Sequence, residues 1–189
     1  IGSLDRGFTF SDLEDSTSVL RNLTILGGFS SSWGGGILIE DANPVITGVT
    51  VDSCTADEGG GIYIAGDLAM PLIQDCEIKN CIATANDPLL GGGGIRVSDA
   101  VPTILDCDIH HNVAENGAGL LVLEEGGTTA VSGTYSRNRI HHNTAVADAG
   151  GCLIRGSVET LQFTENLVYA NTAARGGGLL LATISESAN

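Results

Sequence analysis

The segment Gly59-Gly60-Gly61-Ile62-Tyr63-Ile64 decides the fold, because it is one copy of a pattern that recurs along the chain. Glycine clusters, each followed by an apolar alternation, recur 25 to 33 residues apart. The other copies begin at Gly34, Gly92, Gly117, Gly150 and Gly176. An apolar residue at every second position is typical of a β-strand, whose successive side chains point to opposite faces. The pattern therefore predicts a short strand after each glycine cluster.

Each repeat has a second half whose residues also align from copy to copy. One column reads Leu20, Ile46, Ile73, Ile104, Tyr135 and Phe163, and another reads Ile25, Val51, Ile78, Ile109, Ile140 and Val168. No repeat contains the roughly ten residues of helical pattern that a crossover helix needs. Since no unit can bury its apolar face alone, the units must stack about 4.8 Å apart around one core. We expect an all-β parallel β-solenoid of about six coils plus a partial one.

Composition excludes several classes of partner. The 189 residues include 23 acidic and 8 basic residues, a formal net charge of -15. Nucleic acids and anionic membranes bind Lys/Arg patches, so neither is an expected partner. No apolar run approaches the roughly 20 residues of a transmembrane helix, so no membrane span is predicted.

The polar columns of the repeat are interpreted first as structural ladders. Asn112, Asn143 and Asn171 share one column, and stacked asparagine amides can hydrogen-bond from coil to coil. Cysteines occupy equivalent positions in two columns, Cys54 with Cys81 and Cys76 with Cys107. We expect these four to be buried, reduced thiols that act as small hydrophobic residues. Cys152 occupies what the glycine spacing indicates is a corner glycine position, and it is assigned no role.

The repeat resembles right-handed parallel β-helix proteins, a group that includes pectate-lyase-like enzymes and bacterial surface proteins with G-G-G-I repeats. The resemblance rests on G-G-G-I-x-I, on P-x-I at 44–46, 71–73 and 102–104, and on C-x-I-x-x-[NC]-x-A. It is nearer to the surface-repeat type, and it implies a right-handed coil and an extracellular or cell-surface location. We interpret residues 1–189 as a single domain, a fragment of a longer chain, with insertion loops at 84–91 and 124–134.

Outward positions of the second half-repeat bring charged residues onto neighbouring coils. Four carboxylates, Asp75, Glu77, Asp106 and Asp108, precede two arginines, Arg137 and Arg139, at equivalent positions. Carboxylate oxygens are suitable ligands for Ca²⁺. The resemblance to pectate-lyase-like proteins implies that calcium would bind a uronate substrate and that one of the two arginines would be the catalytic base. The alternative is a cross-strand charge ladder without catalysis.

The four histidines form two vicinal pairs, His110-His111 and His141-His142. Stacking would place like residues on adjacent coils, which is a candidate site for Zn²⁺, Cu²⁺ or Ni²⁺. Adjacent residues of a strand point to opposite faces, so we expect only His110 and His141 to converge, together with Asp108.

Three functions remain open at this point. The first is an extracellular or cell-surface scaffold, an adhesive or glycan-binding module without catalysis, whose partners are polysaccharides or other surface proteins. The second is a calcium-dependent lyase, or another carbohydrate-active enzyme, that acts on acidic polysaccharides. The third is a fibre-forming protein that self-associates through its coil ends, because uncapped solenoid ends expose unpaired strands.

Overall fold

A computed structural model describes residues 5–87, 89–126 and 130–182. Every regular element in these residues is a β-strand, and the strands are numbered β1 to β23 along the chain. Strand neighbours in each of four sheets are parallel and come from successive coils. This arrangement confirms the predicted all-β parallel solenoid of about six turns.

The four sheets run along the length of the solenoid and are called the first to fourth sheet. The first contains β1 (Phe8–Phe10), β4 (Ile37–Glu40), β8 (Ile62–Ala65), β12 (Ile95–Ser98), β16 (Leu120–Leu123), β20 (Cys152–Arg155) and β23 (Leu179–Ala182). The second contains β2 (Val19–Arg21), β5 (Val45–Thr47), β9 (Leu72–Gln74), β13 (Thr103–Leu105), β17 (Val131–Ser136) and β21 (Val158–Thr164). The third contains β3 (Thr24–Leu26), β6 (Thr50–Asp52), β10 (Glu77–Lys79), β14 (Asp108–His110), β18 (Arg139–His141) and β22 (Leu167–Tyr169). The fourth contains β7 (Thr55–Ala56), β11 (Ile82–Ala83), β15 (Val113–Asn116) and β19 (Thr144–Asp148).

The register of the sheets follows the apolar columns of the sequence. In the second sheet Ile46 pairs with Ile73, and Ile73 pairs with Ile104. These three side chains are fully buried in one continuous core. A one-residue slip would turn each of them to the outer surface, so burial of the column specifies the register.

The glycine clusters serve two different purposes. Gly59 has a φ of +59°, a left-handed conformation that glycine adopts without steric cost. Gly61 has another role, because a Cβ there would lie 2.5 Å from the carbonyl oxygen of Gly94 in the next coil. The cluster therefore combines a corner with a close approach of two coils.

One prediction about the later coils is wrong. Cys152 does not occupy a corner, because it is the first residue of β20, pairs with Leu120 and faces the core. Ala149, with a φ of 52°, takes the corner position that Gly117 holds in the preceding coil, so the strand begins directly after Gly151. Within the predicted insertion 124–134, β17 begins at Val131 and pairs there with β21, whereas its pairing with β13 begins at Thr134. Parts of both insertions, residue 88 and residues 127–129, lie outside the described residues.

Candidate functional site

The third sheet carries the predicted charged residues on its outer face. Two outward columns run along it from β10 to β22. The first is Glu77, Asp108, Arg139 and Leu167, and the second is Lys79, His110, His141 and Tyr169. At the corner before these strands, Asp75, Asp106, Arg137 and Glu165 all have φ values of 54° to 56°. Charged side chains from two parallel lines therefore lie close together on one surface.

The four predicted calcium ligands meet in one place. Asp75, Glu77, Asp106 and Asp108 line a shallow cavity of about 310 Å³ on the outside of the solenoid. The backbone around Thr50 forms another part of its wall. The proximity that the repeat predicted is therefore present in the structure.

Three of the four carboxylates in this cavity, those of Glu77, Asp106 and Asp108, have partners of opposite charge or hydrogen-bond donors. Lys79 Nζ donates to Glu77 Oε2 at 2.7 Å, and this bond lowers the pKa of Glu77. Asp106 accepts two hydrogen bonds of 2.7 Å from the Arg137 guanidinium, which lower its pKa below the ordinary value. Within the described residues, no group of three or more His, Cys, Asp or Glu side chains is arranged to hold a metal ion.

The two arginines are hydrogen-bond donors in ion pairs. Arg137 forms a bidentate pair with Asp106, and the hydrogen bonds to that carboxylate raise the pKa of the guanidinium. Arg139 Nη2 donates to the Tyr169 hydroxyl at 3.2 Å, and its Nη1 lies 3.3 Å from Asp108 Oδ2. The hydrogen bond to Tyr169 and the charge of Asp108 raise the pKa of Arg139. Neither guanidinium is therefore poised to accept a proton.

All four histidine rings lie on one surface, which corrects the expectation that neighbours point to opposite faces. His111 and His142 have φ values of 55° and 53°, and this left-handed conformation breaks the strand alternation. The Nδ1 atoms of His110 and His111 are 2.7 Å apart, and those of His141 and His142 are 2.8 Å apart. Both pairs are arranged edge to face.

The two histidine pairs stack on each other along the solenoid axis. The rings of His110 and His141 are parallel with centroids 5.0 Å apart, and those of His111 and His142 are parallel at 5.2 Å. Tyr169 continues the first stack at 4.7 Å from His141. We call the set of four rings the histidine quartet. Because all four histidines of the chain belong to it, the quartet is its only imidazole cluster.

Carboxylates hold the inner rings of the quartet. His110 Nε2 lies 3.2 Å from Glu77 Oε1, and His141 Nε2 lies 2.8 Å from Asp108 Oδ1. The pKa of His141 is nevertheless lowered, because partial burial outweighs the hydrogen bond to Asp108. The neutral form of that ring is thereby favoured.

The remaining predicted residues lie inside the solenoid and away from this surface. Asn112 Nδ2 donates to Asn143 Oδ1 at 3.0 Å, and Asn143 Nδ2 donates to Asn171 Oδ1 at 3.0 Å. The cysteines of the two predicted columns are free and buried: Cys54, Cys76, Cys81 and Cys107. These side chains stabilise the corners and do not face solvent.

Sequence reasoning missed a second asparagine ladder. Asn138 Nδ2 donates to Asn166 Oδ1 at 3.0 Å, and Asn138 Oδ1 accepts the backbone amide hydrogen of Cys107. The signal was present, since Asn138 and Asn166 share the column of Cys76 and Cys107.

Sequence reasoning also missed a buried ionic cluster on the outer face of the first sheet. The Arg96 side chain is 0% exposed and lies between Glu58, 3.0 Å away, and Glu125. The Arg96 guanidinium also lies 5.7 Å from the Tyr63 ring, which stacks on Trp33. Burial raises the pKa of Glu58 even though Arg96 opposes the shift. The available signal was an arginine in an outward column whose neighbouring positions on both sides, Tyr63 and Leu121, are aromatic and apolar.

Comparisons with known proteins identify the fold family. Within the described residues, no helix has the length and apolar character needed to cross a membrane. No curated protein and no solved structure matches the chain. The family described as "right handed beta helix region" matches residues 12–187, which is nearly the whole chain. Together with the parallel coils, this match shows that the chain belongs to the right-handed β-helix family.

Proposed function

We propose that the chain is a non-catalytic β-helix scaffold of the cell surface or extracellular space, and that its outer face binds a polysaccharide. One observation carries the proposal: Arg137 is held by the carboxylate of Asp106, one of the groups predicted to bind calcium. The lyase mechanism needs an unpaired base and an unoccupied cation site. The bidentate pair occupies both, because Arg137 is a candidate base and Asp106 is a candidate calcium ligand.

The charges of the surface argue for binding without elimination. A base must lose its proton before it can abstract another, and arginine is protonated at all ordinary pH values. The pairing with Asp106 raises the pKa of Arg137 further, so turnover through this residue is disfavoured. The same geometry suits a cross-strand ladder, in which opposite charges on adjacent strands stabilise the register.

The class of polysaccharide follows from the charge and the spacing of the coils. A net charge of -15 repels polyuronates and sulfated glycans, so a neutral or cationic chain is the better ligand. Adjacent coils present equivalent polar groups about 4.8 Å apart, which suits a linear polymer with many weak contacts. End-to-end assembly into fibres stays a prediction, since the first four and last seven residues lie outside the described residues.

A second candidate, the calcium-dependent lyase, is favoured by one observation. Four carboxylates line one cavity on the third sheet, and two of them, Asp106 and Asp108, are paired with Arg137 and Arg139. Displacement of an arginine by substrate would free both the base and a calcium ligand. The same experiment therefore has to measure binding and elimination together.

The experiment offers pectate, alginate, chitosan and a neutral glucan to the protein, with calcium and with chelator. We expect no ultraviolet absorbance from unsaturated uronates, and slower migration of the protein in affinity gels that contain glucan or chitosan. Calcium-dependent absorbance that disappears in Arg137→Ala and Arg139→Ala, but not in the exposed control Arg21→Ala, would make the protein a lyase. No retardation by any of the polymers would overturn the glycan-binding proposal.

A further inference from the structure

We propose that the histidine quartet is a binding site for a divalent transition metal, Cu²⁺ or Ni²⁺, chelated by the two Nδ1 atoms of a vicinal histidine pair. The site is separate from the proposed polysaccharide surface in its chemistry, and it does not depend on that proposal. Imidazole nitrogen is a strong ligand for both metals.

The partners of the inner rings fix which nitrogen is available. Glu77 and Asp108 can only accept hydrogen bonds when ionised, so the Nε2 atoms of His110 and His141 carry the hydrogens of those contacts. In the neutral rings, the Nδ1 atoms then carry the lone pairs. The hydrogen between His110 Nδ1 and His111 Nδ1 must therefore come from His111.

Metal binding requires a tautomer change in the outer ring and a small rotation of the two rings that turns both Nδ1 lone pairs towards one ion. His111 and His142 lie at the corner, and each shares its Nδ1 hydrogen with the inner ring of its pair. When that hydrogen moves to Nε2 through water, both Nδ1 lone pairs of a pair become free and each ring stays neutral. No net proton is released. The two metal–nitrogen bonds of a pair replace the single hydrogen bond between its Nδ1 atoms.

The carboxylates complete an arrangement typical of metal sites. A ligating histidine usually donates its other ring N–H to a carboxylate, which fixes the ring orientation and increases its basicity. Glu77 and Asp108 already occupy that position for His110 and His141. The carboxylates that would support the metal ligands are therefore already in place.

The separation of the Nδ1 atoms can be compared with the ligand separation that each metal geometry needs. With metal–nitrogen bonds of about 2.0–2.1 Å, two ligands lie about 2.9 Å apart at a right angle and about 3.3 Å apart at the tetrahedral angle. The observed separations are 2.7 and 2.8 Å. These are hydrogen-bond distances, and opening them by about 0.1–0.2 Å reaches the right-angle separation of tetragonal Cu²⁺ or Ni²⁺, whereas tetrahedral Zn²⁺ needs a larger opening.

Each pair is a separate two-nitrogen chelate, and water fills the other positions. This reading agrees with the absence, among the described residues, of three or more ligands around one point. The pairs are one coil apart, with ring centroids 5.0 and 5.2 Å apart, so two dications would repel each other. We therefore expect one ion to bind tightly and a second to bind more weakly.

The test titrates the whole protein with CuCl₂, NiCl₂ and ZnCl₂, and follows Cu²⁺ by electron paramagnetic resonance and the heat of binding by calorimetry. The variant His111→Gln/His142→Gln removes one nitrogen from each pair. Asn80→Gln is the matched control, because Asn80 occupies the same left-handed corner of the preceding coil. Circular dichroism checks that each variant keeps its strands.

We expect Cu²⁺ to show hyperfine coupling to two nitrogens and Ni²⁺ to bind more tightly than Zn²⁺. The double variant should bind Cu²⁺ about 100-fold more weakly, because the second nitrogen no longer binds intramolecularly. Asn80→Gln should bind as the original chain does. Oxygen-only coordination, tighter binding of Zn²⁺ than of Ni²⁺, or an unchanged Cu²⁺ affinity in the folded double variant would each overturn the proposal.

Discussion

The earlier and later coils fill the same inward corner positions with different chemistry. In the earlier coils these positions hold cysteine, as at Cys54 and Cys81. In the later coils they hold asparagine, as at Asn112 and Asn143. All four side chains are fully buried. The comparison separates what the position requires from what a particular side chain contributes.

The position requires an acceptor for the backbone N–H of the preceding coil. Asn112 Oδ1 accepts the amide hydrogen of Cys81 at 2.9 Å, and Asn112 Nδ2 donates to Ile78 O at 3.0 Å. Cys81 has an equivalent but weaker set, with its Sγ 3.8 Å from Val51 O and in contact with the Cys54 amide. The repeat therefore conserves the geometry of the contact, while amides and thiols differ in its strength.

The largest expected effect is the loss of an amide from the middle of the ladder. Asn143→Ala removes the acceptor for the Asn112 backbone amide and the donor to Ile109 O, both of which stay buried. We expect a loss of about 3 kcal/mol in the free energy of unfolding, since each unsatisfied buried group costs about 1–3 kcal/mol. Urea unfolding measures this loss.

The matched control is Asn80→Ala, which removes an exposed amide that donates to Asp52. A surface change of this kind alters the free energy of unfolding by about 0.5 kcal/mol or less. Equal losses in Asn143→Ala and Asn80→Ala would show that the ladder adds no stability beyond an ordinary surface contact.

The intermediate effect comes from exchanging the two chemistries. Cys81→Asn should extend the ladder towards the earlier coils, because Gly61 leaves the same space beside residue 81 as Gly94 leaves beside Asn112. We expect its cost to be below about 1 kcal/mol, whereas Asn143→Cys should cost about 2 kcal/mol by interrupting the ladder. Unfolding midpoints of the two variants test the asymmetry. If Cys81→Asn were the more damaging change, the two regions would not be geometrically equivalent.

The smallest effect is expected for the exposed ladder outside the solenoid. Arg137→Ala removes the ion pair with Asp106, and exposed pairs contribute little. Since hydrogen bonds from Arg137 lower the pKa of Asp106, the contribution is present above the ordinary carboxyl pKa. It is lost as the pH falls through the lowered value. Unfolding midpoints of the original chain and Arg137→Ala should therefore differ slightly at pH 7 and converge in acid; divergence in acid would contradict this assignment.

The columns of the sequence predicted the fold because each core side chain is buried against the equivalent side chains of the neighbouring coils. Ile46, Ile73 and Ile104 indicated both the strand and its partner, and the structure pairs them in that order. Cys152 was misplaced because Ala149 takes the left-handed corner position that glycine holds in the preceding coil, so the alignment of the glycine clusters began one residue too late. Regular repetition therefore predicts register well where the corner residue is itself repeated, and a substituted corner glycine hides the start of the strand.

The candidate site was predicted less completely, because it depends on side-chain directions at corners. The shared surface of Asp75 and Asp106 followed from alignment alone. The convergence of His110 and His111 did not, since it depends on a left-handed residue that the strand alternation does not predict. Arg96 was missed for another reason: it is buried by Glu58 from a corner and Glu125 from an insertion, which no periodicity relates.

The pairing of each strand with the next coil has a consequence for synthesis of the chain. The strand partners of Ile62 are Ile37 and Ile95, which lie in the neighbouring coils. Each coil can therefore pair as soon as the next coil has been synthesised. Domains fold during translation at about 5–20 residues per second, so a finished coil gains its successor within seconds. Growth in this way adds one coil at a time to the newest edge, and the characteristic error is a coil that docks one repeat out of place.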